Sequence, residues 1–191
     1  MNFFVDPDKI TSYVCTNPEL ELRILFWVCA AGKNGNTAAR CLEKLLDKWQ
    51  DLGETPFSIV GKIPNLSQEM KVAGIGCYNN KSVTFLQLSQ SGLNLQFCSV
   101  EDLEGIKGIG PKTARCFLIH SRPNQRLAGL DTHILKYLRE HGIEAPVSTP
   151  PTGKKYRELE KHFLALADKA GKSVADFDLE IWLSYRRKSA A

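Results

Sequence analysis

One segment with a dense cluster of glycines constrains the fold of this chain more than any other. Gly105, Gly108 and Gly110 lie within six residues and interrupt a helical pattern. Pro111 then favours the first turn of a new helix, because proline has no N–H to leave unpaired there. The pattern therefore predicts two helices joined by a tight hairpin, between about 99 and 121.

This hairpin is predicted to bind phosphate. A helix N-terminus exposes unpaired amides, and glycines place no side chain in front of them. Lys107 and the amides of Gly108 and Gly110 are therefore the candidate phosphate ligands. From Gly105 to Arg126 the chain has basic residues and no acidic one, which favours a polyanionic partner. The basic residues are Lys107, Lys112, Arg115, Arg122 and Arg126.

Two ionisable residues, Lys112 and Asp131, are predicted at the beginnings of the two helices that follow the hairpin. A cation in the first turn of a helix opposes the helix dipole, and burial acts in the same direction, so we expect a lowered pKa for Lys112. A partly neutral amine is what a lysine nucleophile requires. The alternative is that Lys112 only contacts a backbone phosphate. Asp131, taken alone, is most simply a helix N-cap.

The segment 122–130 is long enough to bring Asp131 back beside Lys112. The helix that begins at Pro111 is predicted to end at about Ser121 and to span roughly 15 Å, whereas an extended return of this length spans up to roughly 30 Å. An amine and a carboxylate can then face a common site. A carboxylate at a helix N-terminus stays ionised and can stabilise positive charge or accept a proton.

The rest of the chain also shows helical periodicity, and alternating β patterns are almost absent. With 191 residues and 43% hydrophobic content, the chain can bury a core as one domain or as two small lobes. The fold class is predicted to be all-α. The further predicted helices are about Pro7–Cys15, Pro18–Ala31, Thr37–Gln50, Pro56–Val60, Ser67–Ala73, Lys81–Gln90, Lys154–Lys169 and Val174–Arg187.

Composition narrows the class of protein. A net charge of +4 is too small to indicate a nucleic-acid partner by itself. The six cysteines are scattered without a CxxC pair, so we expect mostly small core residues in a reduced, intracellular protein and no metal site. The N-terminus lacks a signal-peptide pattern, and no apolar run approaches a membrane span. A soluble monomer with no membrane partner is predicted.

GIKGIGPKTA followed by LDTHIL resembles the helix-hairpin-helix motif and downstream aspartate of the endonuclease III–like DNA glycosylase superfamily. The resemblance implies one glycosylase domain over 1–191, built of two helical lobes with the active-site cleft between them. It also implies that the hairpin binds the backbone of damaged duplex DNA and that Asp131 supports attack at C1′ of a flipped nucleotide. A lysine at the position of Lys112 marks the bifunctional members, which form a Schiff base and cut the abasic site.

KKYRELEKHFL and DFDLEIW resemble segments of the compact archaeal-type 8-oxoguanine glycosylase/lyases. By this resemblance Trp182 would stack on the flipped base. Cys116 would press on the base, as the equivalent cysteine does in the eukaryotic relatives. Asp178, by its chemistry, is a candidate to accept a hydrogen bond from the edge of the base. The structural alternatives are a core tryptophan, a packed cysteine and a solvated aspartate. Asn34 and Asn36 lie in the AGKNGN loop, which resembles a loop of the same enzymes, and would fill the gap that the flipped base leaves in the duplex. The alternative is that both residues only form the turn.

The predicted function is that of a bifunctional DNA glycosylase/AP lyase that excises 8-oxoguanine in base excision repair, in the cytoplasm or nucleoid if the organism is prokaryotic. A glycosylase for another lesion, such as an oxidised pyrimidine, is the first alternative. A non-enzymatic helix-hairpin-helix DNA-binding module is the second. No cofactor is expected, although the hairpin carbonyls of this family can hold a monovalent cation. The C-terminal RRKSAA lacks the terminal lysine carboxylate that some of these enzymes use, which leaves base recognition open.

Overall fold

The computed structural model describes residues 3–151 and 153–186, and continues the backbone of the last helix to Ala190. This part of the chain holds ten α-helices and no strand, which confirms the all-α prediction. Within the same residues, no helix combines the length and the apolar character needed to cross a membrane. The helices are α1 Asn17–Ala30, α2 Gly35–Lys48, α3 Pro56–Val60, α4 Leu66–Ala73, α5 Tyr78–Gln90, α6 Val100–Glu104, α7 Pro111–Ser121, α8 Thr132–Glu140, α9 Lys154–Lys169 and α10 Val174–Ala190.

The chain divides into two compact units. The first unit contains residues 1–10 and 14–109, and the second contains residues 11–13 and 110–191. In the first unit, α1 packs against α2, α3 and α5. Apolar side chains cover more than one face of α1, and Ile24 and Leu25 are fully buried, so α1 is the central helix of this unit.

In the second unit, α10 packs against α7, α8 and α9 around one apolar core. The helices α8 and α9 place their apolar residues on one face, at the three- and four-residue spacing of an amphipathic helix. The members of this core include Ile119, Leu130, Ile134, Leu135, Leu138, Tyr156, Leu159, Phe163 and Phe177. The core fixes α7 and α8, whose N-termini carry Lys112 and Asp131.

The predicted start of the hairpin is confirmed by its capping hydrogen bonds. The Ser99 hydroxyl accepts from the Asp102 amide at 3.0 Å, and the Ser99 amide donates to Asp102 Oδ2 at 2.8 Å. This reciprocal pair is a capping box, and it starts α6 where the hairpin is predicted to begin, at about residue 99. Pro111 is the first residue of α7, also as predicted.

The predicted helix from Pro7 to Cys15 is wrong, because only a 3₁₀ turn over Pro7–Lys9 forms there. The Asp6 carboxylate accepts from the Asp8 amide at 2.9 Å, and this bond closes a short turn. Further along the chain, the Ser12 amide donates to the His120 carbonyl at 3.0 Å. In a longer helix this amide would donate to a carbonyl of the same helix, so the tertiary contact replaces a helical hydrogen bond.

The prediction that most cysteines are core residues is also wrong. Cys29, Cys98 and Cys116 are buried, but Cys15 and Cys41 are only half-buried and Cys77 is exposed. Apolar neighbours in the sequence do not decide burial: Cys15 and Cys77 precede α1 and α5, and of these three only Cys41 lies within a helix, on a half-buried position of α2.

Candidate active site

Lys112 is the second residue of α7 and is partly buried. Cys116 lies one turn further on the same face, with 2% of its surface exposed, and its sulfur shares a hydrogen bond with the Lys112 amine. Burial raises the pKa of the Cys116 thiol to about 12, so the thiol is neutral at physiological pH. Lys112 therefore lies against a neutral sulfur inside the second unit.

Asp131 is the N-cap of α8, as predicted. Its Oδ1 accepts from the amides of His133 at 2.8 Å and Ile134 at 2.9 Å. These two bonds fix the carboxylate and leave Oδ2 outside the cap. The charges of Asp131 and Lys112 interact. The return of the chain thus brings the carboxylate back beside the amine.

The expected lowering of the Lys112 pKa is not found. Burial does lower the pKa of this amine. The Cys116 sulfur and the carboxylates of Asp131 and Asp178 raise it by more, and the net pKa lies above its ordinary value. Together these neighbours outweigh the loss of solvent, so the resting residue is an ammonium that must lose a proton before it can act as a nucleophile.

The pKa of Asp131 is raised above its usual range. Burial is the main cause, and the nearby Asp178 charge adds to the increase. The Lys112 ammonium and the hydrogen bond from the Ile134 amide act in the opposite direction. A carboxylate with a raised pKa accepts a proton more readily than a solvated one, which suits Asp131 to take a proton from Lys112.

Asp178 on α10 is a second carboxylate of this cluster, and the alternative of a solvated surface residue is wrong. It is 7% exposed, and its Oδ2 lies 3.2 Å from Nε2 of the buried His120. The other His120 ring nitrogen, Nδ1, lies 2.8 Å from the Thr11 hydroxyl. Within the described residues, Asp178 Oδ1 is buried and has no hydrogen-bond partner. This acceptor is available to a hydrogen-bond donor from outside the chain.

Gly129 allows the segment before Asp131 to pass directly over Cys116. A Cβ atom at position 129 would lie 2.2 Å from the Cys116 sulfur. No larger residue fits there without moving Cys116 or the return segment. The close approach of this backbone to α7 is what places Asp131 beside Lys112.

Replacing Gly129 by alanine should lower the free energy of unfolding by roughly 1–3 kcal/mol, the usual effect of overpacking. Chemical denaturation measures this difference. Gly76→Ala is the matched control, because no atom lies within 4 Å of the added methyl group. The double substitution Gly129→Ala with Cys116→Ala removes the clashing sulfur, so the two single effects should not add. Additive effects would show that the clash is not the cause.

The hairpin is anchored to α5 of the first unit. The Thr84 hydroxyl donates to the Lys107 carbonyl at 2.7 Å, and the Lys107 amide donates to Gln87 Oε1 at 2.9 Å. Gly108 has a φ of +93° and lies so close to Thr84 that a Cβ would be 2.2 Å from its hydroxyl oxygen. Among the described contacts, the amides of Gly108 and Gly110 make no hydrogen bond. Both amides are open to an anion, and the Lys107 side chain is exposed.

Two of the basic residues counted towards a polyanion partner form ion pairs with carboxylates of the same chain, Arg115 in the interior and Arg126 on the surface. Arg115 is buried and its Nε donates to Glu160 at 3.0 Å. Arg126 forms a bidentate pair with Asp168 at 2.6 and 2.7 Å. Fewer basic side chains of this segment are therefore available to bind an external anion than the sequence alone indicates.

The other candidate residues occupy distinct places. Asn34 is the N-cap of α2, where its side chain accepts from the amides of Asn36 and Thr37. Asn34 is exposed and Asn36 is half-buried, both in the first unit. Trp182 on α10 is half-buried in the second unit, with the Arg186 guanidinium 5.1 Å from the centre of its ring. Trp182 is thus not a fully buried core residue.

The sequence reasoning missed the residues that hold this site together, namely His120, Gly129, Tyr156 and Glu160. Tyr156 lies in the predicted helix Lys154–Lys169, but nothing in the helical pattern distinguishes a packing tyrosine from one whose hydroxyl holds a backbone segment. An inward polar or aromatic residue near a candidate site is the signal that could have identified it.

Comparison with known proteins agrees with this architecture at the level of motif and fold. The helix-hairpin-helix motif model matches residues 93–120. A curated 8-oxoguanine DNA glycosylase/AP lyase of Thermotoga sp. (strain RQ2) is 34% identical over 82 residues. That match covers 43% of this chain and only 39% of the length of the relative. The chain carries a helix-hairpin-helix motif, as its sequence predicts.

Solved structures identify the fold more closely. The 8-oxoguanine glycosylase/lyase of Methanocaldococcus jannaschii, solved with a 15mer DNA containing 8-oxoguanine, superimposes with a TM-score of 0.72 at 21% identity, over 96% of this chain and 87% of the other. The 8-oxoguanine DNA glycosylase of Thermotoga maritima gives 0.70 at 21% identity, over 87% and 79%. The chain therefore has the fold of the compact 8-oxoguanine DNA glycosylases, and the predicted resemblance to this group is confirmed.

Proposed function

We propose that this protein is a bifunctional DNA glycosylase/AP lyase that removes 8-oxoguanine from duplex DNA. The observation that carries the proposal is the placement of the Lys112 amine and the Asp131 carboxylate together at two helix N-termini. The DNA-bound relative of the same fold, and the names of the curated relatives, support 8-oxoguanine as the lesion. A hairpin that only binds DNA needs neither group, which disfavours the non-enzymatic alternative.

In the proposed reaction, Lys112 first gives a proton to Asp131, whose raised pKa favours acceptance. The neutral amine then forms a bond to C1′ as the bond from C1′ to the base breaks, and the departing base keeps the electron pair and takes up a proton. Ring opening of the sugar leaves a protonated Schiff base. Loss of a proton from C2′ expels the 3′ phosphate and cuts the strand. Amine and carboxylate supply all of these steps, so we expect no metal or cofactor requirement.

The hairpin would hold the DNA backbone during these steps. The open amides of Gly108 and Gly110, with the exposed Lys107, are suited to a phosphate group. Contacts of this type position DNA without reading its sequence.

We propose Asn34 and Asn36 as the residues that occupy the gap left by the flipped base. A monovalent cation at the hairpin stays a prediction. An enzyme with this substrate would work inside the cell, and we expect it to act as a monomer.

The damaged base would be held by Cys116, Asp178 and Trp182. A flipped base needs an apolar or aromatic sandwich and a few polar partners. Trp182 offers a half-buried ring and Cys116 a neutral thiol beside the amine. Asp178 Oδ1 is a buried acceptor without a donor, and oxidised guanine offers N–H groups along its edge. A donor on the edge of the base would complete the hydrogen bonding of this acceptor.

Replacing Asp178 by asparagine should slow removal of 8-oxoguanine by roughly 10- to 100-fold, since a hydrogen bond to a charged group contributes about 1.5–3 kcal/mol. Cleavage of a preformed abasic site should stay within a few fold of the wild type, because that substrate has no base to hold. Single-turnover rates on the two substrates measure the difference. Equal losses on both would assign Asp178 to the chemistry rather than to the base.

Strand cleavage on a panel of duplexes tests the proposed function. The panel holds 8-oxoguanine, undamaged guanine, an oxidised pyrimidine and a preformed abasic site in one sequence context. We expect rapid cleavage at 8-oxoguanine and at the abasic site only. Preference for the oxidised pyrimidine would establish the first alternative. Salt-sensitive binding without any cleavage would establish the binding module and overturn the proposal.

A further inference from the structure

The three residues before Asp131 have an unusually complete set of hydrogen bonds. The Ala128 amide donates to Glu160 at 2.8 Å, and the Ala128 carbonyl accepts from the Tyr156 hydroxyl at 2.7 Å. The Leu130 amide donates back to the Tyr156 oxygen at 3.1 Å. The Leu130 carbonyl accepts from the Thr149 hydroxyl at 2.7 Å. Two backbone bonds lie in the same segment, from the Leu130 amide to the Ala128 carbonyl at 3.1 Å and from the Asp131 amide to the Gly129 carbonyl at 2.6 Å. These backbone and side-chain bonds together define the path of a segment that is not regular secondary structure.

Tyr156 on α9 is the centre of this arrangement. It has no exposed surface, and its hydroxyl group donates one bond and accepts another on either side of Gly129. Burial raises the pKa of this phenol, so it stays protonated at any working pH. One oxygen atom thus fixes both ends of a three-residue segment.

Arg115 connects the same segment to the helix that carries Lys112. Its Nε donates to the Glu160 oxygen that also accepts from Ala128, and its Nη1 donates to the Pro111 carbonyl at 3.2 Å. The Arg115 guanidinium also lies 4.5 Å from the centre of the Tyr156 ring. Pro111 precedes Lys112 directly, so these contacts join the backbone beside the amine to the backbone before the carboxylate.

We propose that Tyr156 is a positioning residue of the active site, which holds the Asp131 carboxylate beside Lys112 through the backbone of residues 128–130. The inference rests on the proposed function, in which these two groups exchange a proton. Tyr156 touches neither the substrate nor the reacting atoms. Its effect is geometric, because a displacement of about 1 Å in a catalytic group can cost 10²-fold in rate.

Tyr156→Phe tests this role, since it keeps the ring next to Arg115 and removes only the hydroxyl group. We expect the single-turnover rate of base excision and of Schiff-base formation to fall roughly 10- to 100-fold. The affinity for a lesion duplex and the KM should change by less than about threefold, because the hairpin is intact. Amide hydrogen exchange at Leu130 should become faster in the same variant, with or without DNA.

Tyr185→Phe is the matched control. Tyr185 lies in the same unit, is 4% exposed and donates its hydroxyl to Glu140. Removing this hydroxyl should lower the melting temperature by a similar amount but leave the excision rate near that of the wild type. If both variants lose rate in parallel with stability, the role of Tyr156 is only structural and the proposal is wrong.

The outcomes separate this inference from the proposed function. If the wild type cleaves 8-oxoguanine duplexes and Tyr156→Phe cleaves them equally fast, the positioning role fails while the function stands. If the wild type cleaves nothing, the function fails, and the positioning role, which has no reaction left to serve, fails with it. Where the wild type is active, unchanged amide exchange at all of residues 128–131 in Tyr156→Phe would also contradict the positioning role.

Discussion

Replacing Lys112 by glutamine should reduce cleavage of an 8-oxoguanine duplex by roughly 10³-fold or more, since the nucleophile itself is removed. Both base release and strand scission should be lost, because both proceed through the bond from Lys112 to C1′. Glutamine is close to lysine in length and lacks the charge, so the fold should be retained. Single-turnover kinetics on the duplex measure the loss.

The control for this substitution is Lys155→Gln. Lys155 is an exposed lysine on α9, and the same loss of one charge there should leave the rate within about twofold of the wild type. If Lys112→Gln releases the base at the normal rate and loses only strand scission, a water molecule and not Lys112 attacks C1′. The protein would then be a monofunctional glycosylase with a separate lyase step.

Replacing Asp131 by asparagine should lower the maximal rate of base excision by roughly 10²-fold or more, the usual contribution of a proton-transfer group. Asparagine keeps an oxygen that can accept from the amides of His133 and Ile134, so the cap of α8 and the stability should change little. Asp131→Ala removes the cap as well and should cost a further 0.5–2 kcal/mol or so of stability. If both variants lose rate but only Asp131→Ala loses stability, the catalytic role of the carboxylate is separate from its role as the helix cap.

The pH dependence of the same variant gives an independent test. In the wild type the carboxylates raise the pKa of Lys112, so the amine is mostly protonated at neutral pH and the rate should increase as the pH rises. Asp131→Asn removes one of these carboxylates. The pKa of Lys112 should fall, and the increase in rate should occur at lower pH, although to a lower maximum. A pH profile that does not move would show that Asp131 does not act on Lys112.

Short-range patterns in the sequence predicted where the helices that form this site begin. Ser99 and Asp102 start the hairpin, Pro111 starts α7 and Asp131 starts α8, all as the capping rules indicate. These features depend on residues three or four positions apart, where sequence alone decides the structure. The hairpin position and the nearness of Lys112 to Asp131 followed from them.

Contacts between distant residues could not be predicted. The pKa of Lys112 depends on Asp178, which lies far away in the sequence and which the local pattern could not place beside the amine. The predicted helix after Pro7 failed because Ser12 bonds to His120 instead of continuing a helix. The hydroxyl of Tyr156 finds its partners only after the return segment has folded against α9. Each case is decided by tertiary packing, which overrides local preference.

Chemical trapping with identification of the linked residue tests the central claim most directly. The wild-type protein is mixed with a duplex that contains 8-oxoguanine, borohydride reduces any Schiff base, and peptide mass spectrometry locates the attached sugar. We predict a stable adduct on Lys112, and none with the undamaged duplex. An adduct on another amine, or no adduct while the strand is cut, would contradict the account.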